Sequence, residues 1–291
     1  MGTSSSSGGP SGITSLYPTW YSAENTDTAA QQPGDSTVIG DGGNDGVSNP
    51  SSEIPQPVSP AVPPLSGNWK DAKIAFTRFS KRTGGSSIRK AAKTYVGTLG
   101  GSKGATRSAS RGISSGRSLA GFLSGVSSPG GGLNEALTQL GLSNYIGRSS
   151  EEILARIADA IAPAGATNDE AIARDSVIAT LDQLYTRLLE NDGDIRTLES
   201  LTPEMIKETV IDFTSIYIFK KWVYELGLAV EKNTISERQA IAMEIEIKDF
   251  IHGEVKLALR DKEIREFNLD ANNNQQIIQS IFQTAYSTLE K

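Results

Sequence analysis

The chain has 291 residues, of which 37% are hydrophobic and 21% charged, a composition that supports one or two folded domains. It contains no cysteine and a single histidine, which excludes disulfide bridges, thiolate nucleophiles and zinc sites built from several histidines. The net charge of -6 conceals three regions of different charge. Residues 1–68 contain six acidic and no basic residues, and residues 69–117 contain twelve basic residues and one acidic residue. Residues 149–291 contain fifteen basic and twenty-six acidic residues.

The first segment, residues 1–66, consists mainly of Ser, Gly, Pro, Asp and Asn with scattered apolar residues. Such a sequence buries too little apolar surface to offset the entropy lost on ordering, so we predict a disordered leader. Its prolines disfavour helix, and the run Pro55 to Leu65 favours an extended polyproline II spacer. Since the chain opens with neither a basic nor an apolar stretch, we expect no secretory signal and a cytoplasmic location.

A basic, partly helical segment is predicted over residues 67–127. Trp69, Phe76 and Phe79 share one face of a predicted helix, and a second short helix is predicted over residues 87–99.

The sequence from Gly100 to Arg117 is rich in Gly, Ser and Arg, and we expect it to be flexible unless a partner orders it. Across residues 100–126 the same serines and glycines would equally suit tightly packed helices of small residues. The pattern leaves both alternatives open.

Residues 128–291 predict an α-helical domain, in which apolar residues recur every three or four positions. Helix starts are predicted at Ser149 with Glu152, at Asn168, at Thr202 before Pro203, and at Thr234 with Glu237. Lys220 and Lys221 interrupt the longest apolar run, which argues against a membrane span. No strand-like alternation is present, so the predicted fold class is mainly α.

The cations of the basic segment are candidates for contact with nucleic acid or with a partner protein. They could neutralise phosphates, or they could dock on an acidic protein surface, including the chain's own acidic part. The residues concerned are Lys81, Arg82, Arg89, Lys90, Lys93, Arg107 and Arg111.

Catalytic chemistry finds little support. His252 has no second histidine, cysteine or nucleophile elbow to work with, so a packed or surface histidine is the favoured interpretation. Paired carboxylates such as Glu244 and Glu246 occur on helices dense in both charges, which is typical of a solvated face. We therefore expect no enzyme activity, no metal site and no bound cofactor.

Gly2 stands out at the N-terminus. Removal of Met1 would leave a glycine α-amine with a pKa of about 7.7 to 8.0, so that on the order of a tenth of it is a free nucleophile at pH 7. Glycine also has no side chain to obstruct entry into a narrow enzyme pocket.

The opening MGTSSSSGGP, followed by Gly12, Leu16, Pro18 and Trp20, resembles the start of the QatB family of the bacterial Qat anti-phage defence system. The layout is also similar, with a Gly/Ser/Pro-rich leader, a Ser/Gly/Arg-rich middle and a helical C-terminal half. The motif covers about the first twenty residues and is low in complexity.

The resemblance implies a non-enzymatic subunit that works beside an ATPase (QatA), a protein similar to the 7-cyano-7-deazaguanine synthase QueC (QatC) and a TatD-like nuclease (QatD). It further implies that the N-terminal glycine takes the place of ammonia as acceptor in the QatC reaction. Gly2 would then carry 7-deazaguanine as a covalent modification, and the helical body would bind partner proteins.

Within that hypothesis the leader supplies the residues that the enzyme recognises. Those flanking the acceptor are Thr3, Ser4, Ser5, Gly8, Gly9 and Pro10, with Pro18 and Trp20 as a surface anchor. The alternative function is a nucleic-acid-binding adaptor that uses residues 69–117 to recruit a partner nuclease or ATPase.

Overall fold

The structure, a computed structural model, describes residues 68–85, 87–189, 194–231, 236–260 and 274–291. Its α-helices are α1 (Trp69–Ser80), α2 (Ile88–Thr98), α3 (Gly101–Ser108), α4 (Ser110–Ser127), α5 (Leu133–Gln139), α6 (Ser150–Ile161), α7 (Asn168–Leu189), α8 (Pro203–Glu231), α9 (Glu237–Arg260) and α10 (Asn274–Leu289). Short 3-10 helices cover Ser143–Tyr145 and Ile195–Ser200. No strand occurs in these ranges, which confirms the mainly α class. The predicted leader, residues 1–66, lies outside them.

Helix α8, 29 residues long, lies at the centre of the fold and contacts α1, α4, α7, α9 and α10. It is buried on several faces, and hydroxyl side chains within it form hydrogen bonds to its own backbone. The hydroxyls of Thr214 and Ser215 donate to the carbonyls of Val210 and Ile211, one turn back, at 2.8 Å. This helix can therefore pass through the core without leaving those hydroxyls unpaired.

An aromatic cluster joins the first two helices to α8. The ring of Trp222 stacks on Tyr95 with centroids 5.5 Å apart and an interplanar angle of 6°. Phe76 lies 5.9 Å from Trp222, and Phe79 lies 6.4 Å from Phe76. Both phenylalanines are buried, which confirms the predicted apolar face, while Trp69 at its N-terminal end is half-buried. Burial of this aromatic area holds α1 and α2 on the body of the protein.

The stretch rich in glycine and serine forms two helices, so the expectation of flexibility at residues 100–117 was wrong. The alternative of tightly packed small residues is the observed one. A Cβ atom on Gly112 would lie 2.7 Å from the Tyr217 ring, and one on Gly116 would lie 2.8 Å from Phe213. Because these two glycines carry no side chain, α4 can approach the aromatic rings of α8 closely.

Three of the predicted helix starts are confirmed. The side chains of Ser87, Ser149 and Thr202 accept hydrogen bonds from amides three residues on, at 3.3 Å in each case. These bonds satisfy amides that have no partner inside the helix.

Two predicted starts need correction. Helix α7 begins at Asn168, but its capping side chain is that of Thr167, whose hydroxyl accepts from the Glu170 amide at 3.3 Å. For α9 the capping residue is Ser236, paired reciprocally with Gln239. Thr234, the predicted cap, lies outside the described residues. In both cases a second hydroxyl-bearing or amide residue nearby fits the capping pattern equally well.

The described helices belong to one compact unit. Helices α1 to α4, from the basic segment, pack directly against α7, α8, α9 and α10. The strongly basic and the strongly acidic parts of the sequence therefore share a single hydrophobic core.

Candidate functional sites

The predicted acceptor of modification, Gly2, lies outside the described residues. So do all the residues predicted to guide its recognition, from Thr3 to Trp20. Those predictions remain expectations from the sequence and from the family resemblance.

Two arginines of the basic segment pair with acids on α9. Arg82 binds Glu246 through its two terminal guanidinium nitrogens. Its guanidinium carbon lies 5.4 Å from the Phe79 ring centroid. Arg89 pairs with Glu254 and lies over the ring of Phe250 at 5.6 Å. The hydrogen bond and charge of Glu246 raise the pKa of Arg82. Both guanidiniums are thus used within the chain.

A second set of contacts starts from α4. Arg111 pairs with Glu170 at the N-terminus of α7, at 3.0 Å, and Arg117 donates to the side chain of Gln275 on α10 at 2.9 Å. The hypothesis that the basic segment docks on the chain's own acidic part is therefore confirmed for Arg82, Arg89 and Arg111. The charge split in the sequence anticipated this pairing, although it could not identify the partners.

The remaining predicted contact residues lie at the surface. Lys81, Lys90, Lys93 and Arg107 are all exposed. Lys90, Lys93 and Arg107 form no ion pair with any described residue. They are the members of the predicted set that can still meet an anionic partner.

A buried ionic network surrounds Lys221, and sequence analysis did not predict it. This side chain is only 3% exposed, and its Nζ donates to Asp169 of α7 at 2.7 Å and pairs with Glu225 at 2.9 Å. The hydroxyl of Tyr95 on α2 donates to Glu225 at 2.7 Å. Sequence analysis treated Lys221 as a break in an apolar run, whereas it links three helices.

Burial and charge shift the pKa values in this network. Burial would lower the pKa of Lys221, but Glu225, Tyr217 and Asp169 together raise it above its ordinary value. Burial, reinforced by Glu225, raises the pKa of Tyr95 well above 10.0. Burial likewise raises the pKa of Tyr286. The network therefore keeps the ammonium charged and the tyrosines neutral at physiological pH.

His252 takes part in a second cluster, on the surface between α7, α8 and α9. Its Nε2 lies 2.9 Å from Asp212, which also pairs with Arg187 at 3.1 Å. Lys256 donates to Glu208 at 3.1 Å nearby. A cavity of about 490 Å³ is lined by these side chains. One carboxylate thus joins three helices, and the histidine is a partly exposed surface residue, as predicted.

The described residues contain no group of three or more His, Cys, Asp or Glu side chains arranged to hold a metal ion. Among these residues, no helix has the length and apolar character needed to span a bilayer.

The described residues define a helical protein in which the other helices assemble around one long central helix, α8. The basic helices α1 and α2 are held to the acidic body by ion pairs and by aromatic packing. Residues 100–289 match the family model described as "QatB: Qat anti-phage system associated protein QatB". Since this match covers well over half of the chain, the chain belongs to the QatB family and is a subunit of the Qat anti-phage defence system.

The match begins at Gly100, just after α2, and extends to the last residue of α10. It therefore includes the small-residue helices, the His252 cluster and the Lys221 network apart from Tyr95, and it leaves out α1 and α2. No curated protein and no solved structure matches the chain.

Proposed function

We propose that this subunit is a non-enzymatic acceptor, whose Gly2 α-amine receives a 7-deazaguanine acyl group from the QueC-like protein QatC once Met1 is removed. The observation that carries the proposal is the opening MGTSSSSGGP with Pro18 and Trp20, in a chain whose family membership rests on other residues, 100–289. The two lines of support are therefore independent stretches of sequence.

The absence of lysine from the leader favours Gly2 as the acceptor. Residues 1–68 contain no lysine, so the α-amine of Gly2 is the single primary amine in that stretch once Met1 is removed. Its pKa of about 7.7 to 8.0 lies well below the value near 10.4 of a lysine, so a larger fraction is unprotonated at pH 7. An enzyme that takes up the leader meets no competing nucleophilic amine there.

The transfer step is an acyl substitution. QatC would activate the 7-deazaguanine carboxylate with ATP as an acyl adenylate, as the carboxylate attacks the α-phosphorus and pyrophosphate leaves. The lone pair of the Gly2 nitrogen attacks the acyl carbon, the new C–N bond forms, and the bond to the AMP oxygen breaks. AMP leaves with that electron pair, a base accepts the ammonium proton, and an amide remains on the chain.

The length of chain before the helices is compatible with delivery into a pocket. The residues between Gly2 and Asn68, the N-cap of α1, can span at most on the order of 200 Å when fully extended. The helical body then serves as an interaction module for QatC, and for the QatA ATPase or the TatD-like nuclease QatD, in the cytoplasm.

The nucleic-acid adaptor is the second hypothesis. Arg82, Arg89 and Arg111 are engaged with the chain's own carboxylates, which reduces the cations available for phosphates. Lys90, Lys93 and Arg107 remain exposed and form no ion pair with a described residue, so among the predicted contact residues they are the ones that could bind phosphate.

Replacement of the acceptor tests the proposal. Gly2→Pro presents a hindered secondary amine and should abolish the modified mass when the protein is co-expressed with QatC. Its helical circular dichroism should remain that of the wild type, because the described helices begin at Trp69. Ser7→Ala is the matched control, because it changes a leader residue outside the predicted recognition set and keeps the glycine amine. A modified mass that persists in Gly2→Pro would contradict the proposal.

A further inference from the structure

A small cleft lies between α1 and α2, with a volume of about 190 Å³. The residues that line it are Asp71, Ile74, Ala75, Arg78, Gly84, Lys90 and Thr94. None of the arginines that pair with α7 or α9 belongs to this set. The same two helices therefore carry a second group of cations, separate from those that attach them to the body.

The cleft has an excess of positive charge. Arg78 and Lys90 are both exposed and form no ion pair with any described residue. The one acid in the lining, Asp71, accepts a hydrogen bond from the Asn68 side chain at 2.9 Å and lies in the first turn of α1. Because two cations and one carboxylate line this small cleft, its net positive charge favours an anionic ligand.

The same cleft also offers an apolar contact. Ile74 is 38% exposed, although most large apolar side chains of the described helices are buried. Ala75, in the next position, is buried and contributes to the lining. A ligand that combines a carboxylate with a neighbouring apolar side chain would use both features.

We propose that the α1–α2 cleft is a docking site for an acidic peptide segment of a partner protein, whose carboxylate lies between Arg78 and Lys90 and whose adjacent apolar side chain packs on Ile74. The structure contains two precedents in the same part of the chain, because Arg82, just after α1, and Arg89, in α2, already bind glutamate side chains. The proposal deepens the role of the helical body as an interaction module.

An acidic peptide fits the cleft better than a nucleic acid does. The rings of Phe76, Phe79 and Tyr95 on these helices are buried in the core and cannot stack on bases, and the half-buried Trp69 of α1 does not line the cleft. The volume of the cleft suits one or two side chains rather than a nucleotide strand.

Zero-length cross-linking with a carbodiimide tests the proposal on the full chain. The probe is a biotinylated peptide with an acetylated N-terminus and an amidated C-terminus, in which glutamates alternate with leucines, and the matched probe has glutamine in place of glutamate. We expect an amide bond between the glutamate probe and Lys90, identified by peptide mass spectrometry, and no product with the glutamine probe.

Two variants with the same charge change give the comparison. Arg78→Glu should lower the yield at Lys90 about tenfold, which corresponds to a loss of about 1.4 kcal/mol in binding. Arg148→Glu, at an exposed position just before α6 and outside the predicted contact set, should leave that yield unchanged. Equal labelling of Lys70, Lys73, Lys90, Lys93 and Lys103, or a yield at Lys90 that ignores Arg78→Glu, would overturn the proposal.

A fluorescent single-stranded oligonucleotide of about twelve nucleotides supplies the other arm. If it binds in fluorescence anisotropy, loses binding in Arg78→Glu, and the peptide fails to cross-link, the cleft belongs to nucleic acid and the proposal is wrong. No modifying enzyme is used, so this test and that of the Gly2 proposal can fail separately.

Discussion

The ring of Tyr217 in α8 fills the space that a side chain on Gly112 in α4 would need, since a Cβ atom there would lie 2.7 Å from the ring carbons. Both residues are buried, so the contact between α4 and α8 lies inside the core. The glycine-rich sequence of α4 thus has a packing function, namely to let the helix lie against large aromatic residues of α8.

Gly112→Ala should therefore destabilise the protein by about 1–3 kcal/mol, because the added methyl overpacks the contact with Tyr217. Gly125→Ala, in the same helix, is the control. Its Cβ meets nothing within 4 Å, and it should stabilise by up to about 1 kcal/mol because alanine favours helix. Urea unfolding followed by circular dichroism measures both. Equal effects of the two substitutions would contradict the packing account.

Removal of the hydroxyl should change the free energy of unfolding differently at two buried tyrosines. Tyr95→Phe removes the hydrogen bond to Glu225, and we expect a loss of about 1–3 kcal/mol because this carboxylate, which still pairs with Lys221, loses one of its two partners. Tyr286→Phe should be neutral or slightly stabilising, since its buried hydroxyl has no hydrogen-bond partner among the described residues. Unfolding free energies of the two variants give the comparison, and a costlier Tyr286→Phe would refute it.

Lys221→Met should be among the most damaging single substitutions in α8. It leaves Asp169 and Glu225 without their shared cation, and removal of one partner of a buried ion pair costs about 3–5 kcal/mol. Asp169 is partly exposed, which places the expected loss at the lower end of that range. Lys256→Met, which breaks an exposed pair with Glu208, should cost about 0–1 kcal/mol. Thermal unfolding of both variants decides the matter.

Stability should fall at alkaline pH. The pKa values of Tyr95 and Tyr286 are raised by burial above the ordinary 10.0, so the native state holds these protons more tightly than the unfolded chain does. Their contribution is complete below about pH 10 and is lost as the pH rises further. Tyrosinate absorbance from these residues should therefore appear together with loss of helical circular dichroism. Full ionisation of all eight tyrosines in an intact helical protein would contradict this expectation.

The sequence predicted some helices well because their own residues carry the signal. In α10, Ile278, Ile281, Phe282 and Tyr286 recur at helical spacing, and all four are buried. Serine and threonine caps such as Ser149 act within three residues, so their role is readable locally.

Other features depend on residues far apart in the chain. The packing of Gly112 is decided by Tyr217, and the burial of Lys221 is made acceptable by Asp169, fifty-two positions away. Neither glycine content nor a lysine pair in an apolar run specifies such a partner. The charge split did indicate that basic and acidic parts would meet, but the pairing of Arg82 with Glu246 required the fold.

The most direct test of the acceptor hypothesis is the intact mass of this subunit, with the mass of its N-terminal peptide, after expression with and without QatC. The account predicts a QatC-dependent adduct of the size of a 7-deazaguanine acyl group, located on Gly2 with Met1 absent. An unmodified Gly2 amine in both samples would contradict the account.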